Sequence, residues 1–407
     1  MRMLPFLRDN IRFLTAGALL TLLSGFGQTY FISLFAGDIR RDFGLSHGEW
    51  GALYMMGTMA SAVVMIWAGV LTDIFRVRVL GPVVLVALAL ASLSMAWNPA
   101  VWALPLIVFA LRFLGQGMMT HIAVVAMARW YVATRGRALF VASLGFSAGE
   151  AFVPLIVVSL LGLVAWQSIW MAGSVICLLA VPLMLFLLRQ ERQPRDLAKS
   201  NASLGMGGRH WTRRDSLQHP LFWAMIPAIL GPAAFNTAFV FHQVHIADVK
   251  GISHLAFVAF FPVFTVVSVT MMGVMGWAID RFGTARLMPF YQLPMVAGFV
   301  AFGFADTLWM LGVGFACLGL TSGANATLPN AFWAEFYGTA HIGSIKALAA
   351  AVMVLGSALG PGLTGALIDL DIGIETQFFW IAAYFVLATG TMVWGIGRAA
   401  HDLPGCS

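Results

Sequence analysis

Apolar residues along this chain come in long runs separated by short polar breaks, with no sustained alternation of period two. A helix rises 1.5 Å per residue, so roughly 20 mostly apolar residues cross the hydrocarbon layer of a bilayer. Twelve such stretches can be marked: Phe13 to Ala36, Gly51 to Leu71, Val79 to Trp97, Val101 to Ala128, Ala138 to Leu161, Ser168 to Leu188, Leu221 to His245, Leu255 to Ile279, Leu287 to Ala305, Leu308 to Phe332, Gly343 to Ile368 and Gln377 to Gly397. The pattern predicts an all-α membrane protein of twelve transmembrane helices. The first stretch is already span-length and carries no small-residue cleavage pattern, so no cleaved leader is expected.

Composition agrees. Of 407 residues 60% are hydrophobic and 10% charged, with a mean hydropathy of +0.88, whereas soluble domains carry about 25% charged residues. The charge is also unevenly placed. The even-numbered connections and the two termini hold 19 of the 23 basic residues, among them Arg2, Arg192, Arg195 and Lys199, while the odd-numbered connections hold only Arg40, Arg41 and Lys250. Lys and Arg are retained on the cytoplasmic side, so both termini and the long middle loop are expected there. Topology thus accounts for the net charge of +6, and no nucleic-acid partner is needed, since no aromatic platform interleaves the basic residues. Cys177 and Cys317 fall inside spans and Cys406 near the C-terminus, which makes no disulfide framework.

A short phrase repeats. GLSH at 44 to 47 returns as GISH at 251 to 254, and at the same offset Gly69, Asp73 and Pro82 match Gly276, Asp280 and Pro289. Gly117 and Tyr131 match Gly323 and Tyr337 one position earlier, and QSIWMA at 167 matches QFFWIA at 377. GFSAG at 145 to 149 and GSALG at 356 to 360 are placed alike, and their glycine pairs read as close-packing surfaces on helices 5 and 11. The chain therefore reads as two pseudo-symmetric six-helix bundles, 1–188 and 220–407, joined by a polar cytoplasmic loop, 189–219. Parallel repeats of this kind build transporters, which rock two bundles about a site near the bilayer midplane.

The stretch GVLTDIFRVR, Gly69 to Arg78, resembles the signature between helices 2 and 3 of the major facilitator superfamily (MFS), and GWAIDRFGTAR, Gly276 to Arg286, its weaker second copy. That resemblance covers the whole chain. It implies the MFS fold, a cytoplasmic gate including Asp73, Arg76, Arg78 and Asp280, and a cavity lined by helices 1, 4, 7 and 10. Ser24, Gln28 and Phe35 share a face of helix 1 by helical spacing, as do Arg112 and Gln116 on helix 4, Asn236 and Gln243 on helix 7, and Thr321 and Asn325 on helix 10. These are the candidate substrate-binding positions, although each amide or hydroxyl serves equally as an interhelical hydrogen bond worth about 1 kcal/mol.

Two ionisable residues fall near the centres of spans: Arg112 in helix 4 and Glu150 in helix 5. Such groups mark substrate or proton pathways by default. Either Arg112 holds an anionic substrate through its fork of donors and Glu150 carries the coupling proton, or the two form a fixed salt bridge within the first bundle. His121, nine residues from Arg112, points to the other side of helix 4 at 100° per residue and reads as a packing residue.

RFLGQG, Arg112 to Gly117, resembles a helix 4 signature of proton-coupled facilitators with its Gln and Gly displaced by one place, and GFSAGEAFVP in helix 5 lacks the Gly-Pro pair of proton–drug antiporters. The loops are loosely similar to bacterial carriers of the monocarboxylate and oxalate–formate group, without that group's basic residues in helices 8 and 11. A secondary active transporter of a small organic anion, driven by proton symport in a bacterial inner membrane and working as a monomer, is the expected function. An efflux antiporter for drugs or metabolites is the alternative. A membrane enzyme would need a convergent nucleophile and base or a metal cluster, and a non-transporting sensor a soluble output domain; neither is legible. No cofactor or metal is expected.

The basic asymmetry sets a test of topology. Single cysteines at Ser46 and Ser253 should react with an impermeant thiol reagent in intact cells, and one at Ser203 should not; the reverse pattern would overturn the orientation.

Overall fold

The computed structural model describes residues 3–131, 134–189 and 204–403. Arg2, Arg192, Arg195, Lys199, Ser203, Cys406 and the stretch 190–203 of the expected linker lie outside these residues. The chain forms two compact units, one of Met1–Ala198 with Val240–His245, the other of Lys199–Phe239 with Ile246–Ser407.

In the first unit α1 (Met3–Leu23) is followed by α2 (Thr29–Phe43), α3 (His47–Ile74), α4 (Val77–Ala96), α5 (Val101–Trp130), α6 (Gly136–Leu161) and α7 (Trp166–Leu187). Then come α8 (Arg213–Gln218), α9 (Pro220–Phe241), α10 (Gln243–Val249), α11 (His254–Phe282), α12 (Thr284–Leu287), α13 (Leu293–Gly303), α14 (Leu308–Tyr337), α15 (Ile342–Asp369) and α16 (Ile374–Ala399) of the second unit, except that the end of α9 and the start of α10, Val240–His245, belong to the first. Large side chains such as Trp67, Trp102, Leu163, Trp309 and Leu387 are mostly exposed, as suits surfaces solvated by lipid rather than water.

Ten of these helices are long and apolar enough to cross a membrane, eleven if the bent pair α1 and α2 counts as one. Twelve were expected. The ninth stretch is the exception: Pro289 and Pro294 supply no N–H, and residues 288–292 turn between α12 and α13 instead of continuing a helix. The first stretch is interrupted too, by a 3-10 turn over Ser24–Gly27 and an extended Gln28 (ψ 154°), which bends the chain by 45°. The seventh ends at Phe241, so Asn236 and Gln243 do not share one continuous helix.

The repeated phrase proves to be turn chemistry. Gly44 (φ 65°) and Gly251 (φ 65°) adopt the left-handed conformation that glycine permits. The next amides, of Leu45 and Ile252, donate back to Arg40 (2.9 Å) and Ala247 (3.0 Å), closing a helix in the Schellman manner. Ser46 and Ser253 then cap the following helix, accepting from the amides of Glu49 (3.0 Å) and Ala256 (3.2 Å). Three residues thus end one helix and begin the next in each unit.

Packing repeats as well. Helix α3 packs on α5, α4 on α7 and α1 on α6, while α11 packs on α14 and α13 on α16. The glycine pairs explain the closest of these approaches. A Cβ at Gly145 would meet the Ala18 carbonyl of α1, and one at Gly356 or Gly360 the carbonyls of Leu230 or Ala234 in α9. Gly360→Ala should therefore lower the melting temperature of the detergent-purified protein, with a loss of about 1–3 kcal/mol from overpacking. Gly390→Ala, whose Cβ meets nothing within 4 Å, should leave it unchanged or raise it. Equal responses would show that helix contact at Gly360 is not limiting.

Candidate functional site

The break in the first span creates the surroundings of Arg112. In an unbroken helix the Gly27 carbonyl would accept from the amide of residue 31; here the Phe31 amide bonds Gln28 O instead (3.2 Å). Gly27 lies directly on α5, where a Cβ would collide with the Leu111 carbonyl and approach the Cα of Gly115, and a Cβ at Gly115 would likewise strike Gly27. Only a pair of glycines allows the two backbones so near. Eight residues of α5, Arg112–Met119, are wound as π-helix, a distortion frequent at functional sites.

Arg112, 1% exposed, donates from Nη1 to the freed Gly27 carbonyl (3.3 Å) and to Thr29 Oγ1 (3.2 Å). Its guanidinium carbon lies 5.4 Å from the centre of the Tyr54 ring, within cation–π range, and the Tyr54 hydroxyl shares a hydrogen bond of 2.7 Å with Thr29 Oγ1. Its Nε, buried, has no hydrogen-bond partner. The ring of Phe241, 4.5 Å from that of Tyr54, and the hydrogen bond from Gln243 Nε2 to Ser33 Oγ (2.7 Å) complete this part of the first unit.

The salt bridge between Arg112 and Glu150 does not form. Ion pairs join Arg41 to Asp38 and Asp42, Arg129 to Asp73, and Lys250 to Glu375. Arg112 is held instead by acceptors that the helix break supplies. Glu150 lies half-buried on α6, one residue after Gly149, whose Cα faces the Tyr30 hydroxyl; that buried hydroxyl has no hydrogen-bond partner.

The other candidates fall in different settings. Gln28 is buried and reaches Ser24 Oγ (3.5 Å), but the break removes the continuous helix face assigned to Ser24, Gln28 and Phe35. Gln116 and Asn236 are half-buried. Asn325 belongs to a network in the second unit: Pro232, having no N–H, leaves the Ala228 carbonyl free, and that carbonyl accepts from Gln292 Nε2 (2.6 Å) and the Tyr291 hydroxyl (3.3 Å). The same hydroxyl lies 3.3 Å from Asn325 Oδ1, so its single proton is shared between the two acceptors. Tyr54, Thr29, Tyr291 and Gln292 were missed by sequence reasoning. Their signal lay in the helix breakers beside them, SGFGQT and the prolines at 232 and 289.

At the end of α3, Asp73 forms an ion pair with Arg129, which also donates to the Thr72 carbonyl (2.7 Å). Arg78 Nη1 reaches the Arg189 carbonyl (3.4 Å), and Arg76 caps α4 by position only. His121 packs here, its Nε2 3.4 Å from Thr72 Oγ1. The second copy differs: Asp280 is exposed, and the counterpart of Arg129 is an acid, Glu335. Its carboxylate accepts from the amide (3.2 Å) and hydroxyl (2.7 Å) of Thr284, at the start of α12 after Gly283 (φ 74°).

The family model of the Major Facilitator Superfamily matches residues 17–278 and 263–401. Among solved structures, a bacterial homologue of the human lysosomal transporter Spinster, inward-facing and occupied, superposes with a TM-score of 0.74 at 16% identity, covering 98% of this chain and 99% of its own. Its unoccupied form gives 0.73 at 14%, covering 97% and 98%, and the nucleoside transporter NupG 0.70 at 13%, covering 97% and 99%. No curated protein matches the sequence. With the two repeated helical units and the family match over nearly the whole length, this chain belongs to the Major Facilitator Superfamily of membrane transporters.

Proposed function

We propose that this chain is a secondary active transporter of a small organic anion, coupled to protons by symport, in a bacterial inner membrane with both termini cytoplasmic. One observation carries the reading: Arg112 is buried in a membrane-spanning helix with no carboxylate partner, and its Nε donor is unused. A guanidinium so placed gains a charge-assisted bond from an arriving carboxylate without first breaking an ion pair. The Tyr54 ring and Thr29 hold its plane, while Gln28 and Gln116 are the nearest amides in sequence to the Gly27–Gly115 crossing. Asn236, Gln243 and Asn325 are assigned to the same cavity from the family resemblance. Glu150 is the coupling-proton carrier in this reading, and Asp73, Arg76, Arg78 and Asp280 belong to the gate.

In proteoliposomes preloaded for exchange with labelled carboxylates, Arg112→Lys should weaken apparent affinity by about 10- to 100-fold, the worth of a hydrogen bond to a charged group. Unchanged affinity in both Arg112→Lys and Arg112→Ala would remove Arg112 from the site. Glu150→Gln, permanently neutral, should abolish accumulation driven by an imposed proton gradient and spare substrate exchange. Vesicles of that variant that still accumulate substrate uphill would return Glu150 to a packing role.

A further inference from the structure

Beside the end of α3 lies an open cavity of about 730 Å³ lined by the first unit alone. Four arginines line it, Arg76, Arg78, Arg129 and Arg189, against one carboxylate, Asp73. Arg129 is committed to Asp73 and to the Thr72 carbonyl. Arg76, Arg78 and Arg189 make no ion pair among the described residues, so positive charge is in excess. The lining also includes the first residues of α4, Val77 to Val79, and the residue before them, Arg76, makes no side-chain capping bond. The positive end of a 20-residue helix therefore contributes to the same cavity.

The walls are not polar throughout. Ile74, Phe75 and Val79 line the cavity and are 66%, 47% and 53% exposed, apolar surface that water would disfavour and an acyl chain would cover. Guanidinium groups and apolar walls at the rim of a membrane-spanning unit fit a ligand that is anionic at one end and apolar at the other. We propose that this cavity binds the phosphate of an anionic phospholipid, with Arg76, Arg78 and Arg189 as its donors and Phe75 and Val79 against its glycerol and chain. Basic recesses between spanning helices are suited to such headgroups. The proposal rests on the membrane fold and is independent of the transported substrate.

Native mass spectrometry of the full-length chain in detergent tests it, with dioleoyl phosphatidylglycerol, dioleoyl phosphatidylcholine and inorganic phosphate as probes. One phosphatidylglycerol should be retained about tenfold better than phosphatidylcholine, and excess inorganic phosphate should not displace it. Arg189→Gln, an exposed position at the end of α7, should weaken retention by about fivefold, and the triple variant Arg76→Gln, Arg78→Gln, Arg189→Gln should lose the preference entirely. Equal retention by native chain and Arg189→Gln, or by the two lipids, would overturn the site. Full displacement by inorganic phosphate would make it a site for soluble anions and overturn the lipid assignment.

Discussion

Hydrocarbon supplies no hydrogen-bond partner, so every backbone carbonyl released by an interrupted spanning helix must find its donor inside the protein. Two such carbonyls organise this chain. Gly27 O is met by Arg112 and Ala228 O by Gln292 and Tyr291. Each donor is a polar side chain held deep among apolar helices by a defect in a neighbouring one. The polar interior of both units is thus tied to the places where glycine and proline stop a helix, and the glycine contacts that bring the helices together are what let the donors reach.

Much of the fold was legible because hydropathy and glycine spacing are local signals. The long apolar runs gave most of the spanning helices, and GFSAG and GSALG named the surfaces where α6 meets α1 and α15 meets α9. The misses share a cause. Face arithmetic assumes 3.6 residues per turn, which fails where Ser24–Gly27 tightens to 3-10 and Arg112–Met119 loosens to π. The alternative of a fixed salt bridge failed for a related reason: sequence separation shows two charges in adjacent spans, but not that a broken third helix supplies the arginine with its acceptors. The ninth span was lost to Pro289 and Pro294, whose effect on apolar runs a hydropathy window does not register.

The two units keep a common backbone pattern and differ in chemistry. At the offset that aligns Gly117 with Gly323, Arg112 corresponds to Leu318, and at the one that aligns Gly149 with Gly360, Glu150 corresponds to Pro361. Arg129 likewise has an acid, Glu335, as its counterpart. The same scaffold therefore carries Arg112 and Glu150 within the spans of its first copy and a neutral network of Tyr291, Gln292 and Asn325 in its second. A repeat preserved for packing leaves such positions free to diverge, since the capping serines and contact glycines do not depend on them.

The absence of an Arg112–Glu150 pair bears on how coupling would work. A buried ion pair stabilises both charges against desolvation, and a substrate anion would have to break it before binding, at a penalty of several kcal/mol. With Arg112 held only by a carbonyl, a hydroxyl and an aromatic face, its charge is solvated by dipoles and uncompensated by any anion. In the proposed reading a carboxylate arriving there would supply the missing negative charge, so binding and compensation would be the same event. Glu150, left out of that exchange, would change its proton without releasing the arginine. Linkage between the two would then run through α1 and α2, whose break contacts Arg112 at Gly27 and Thr29 and whose Tyr30 faces Gly149 beside Glu150.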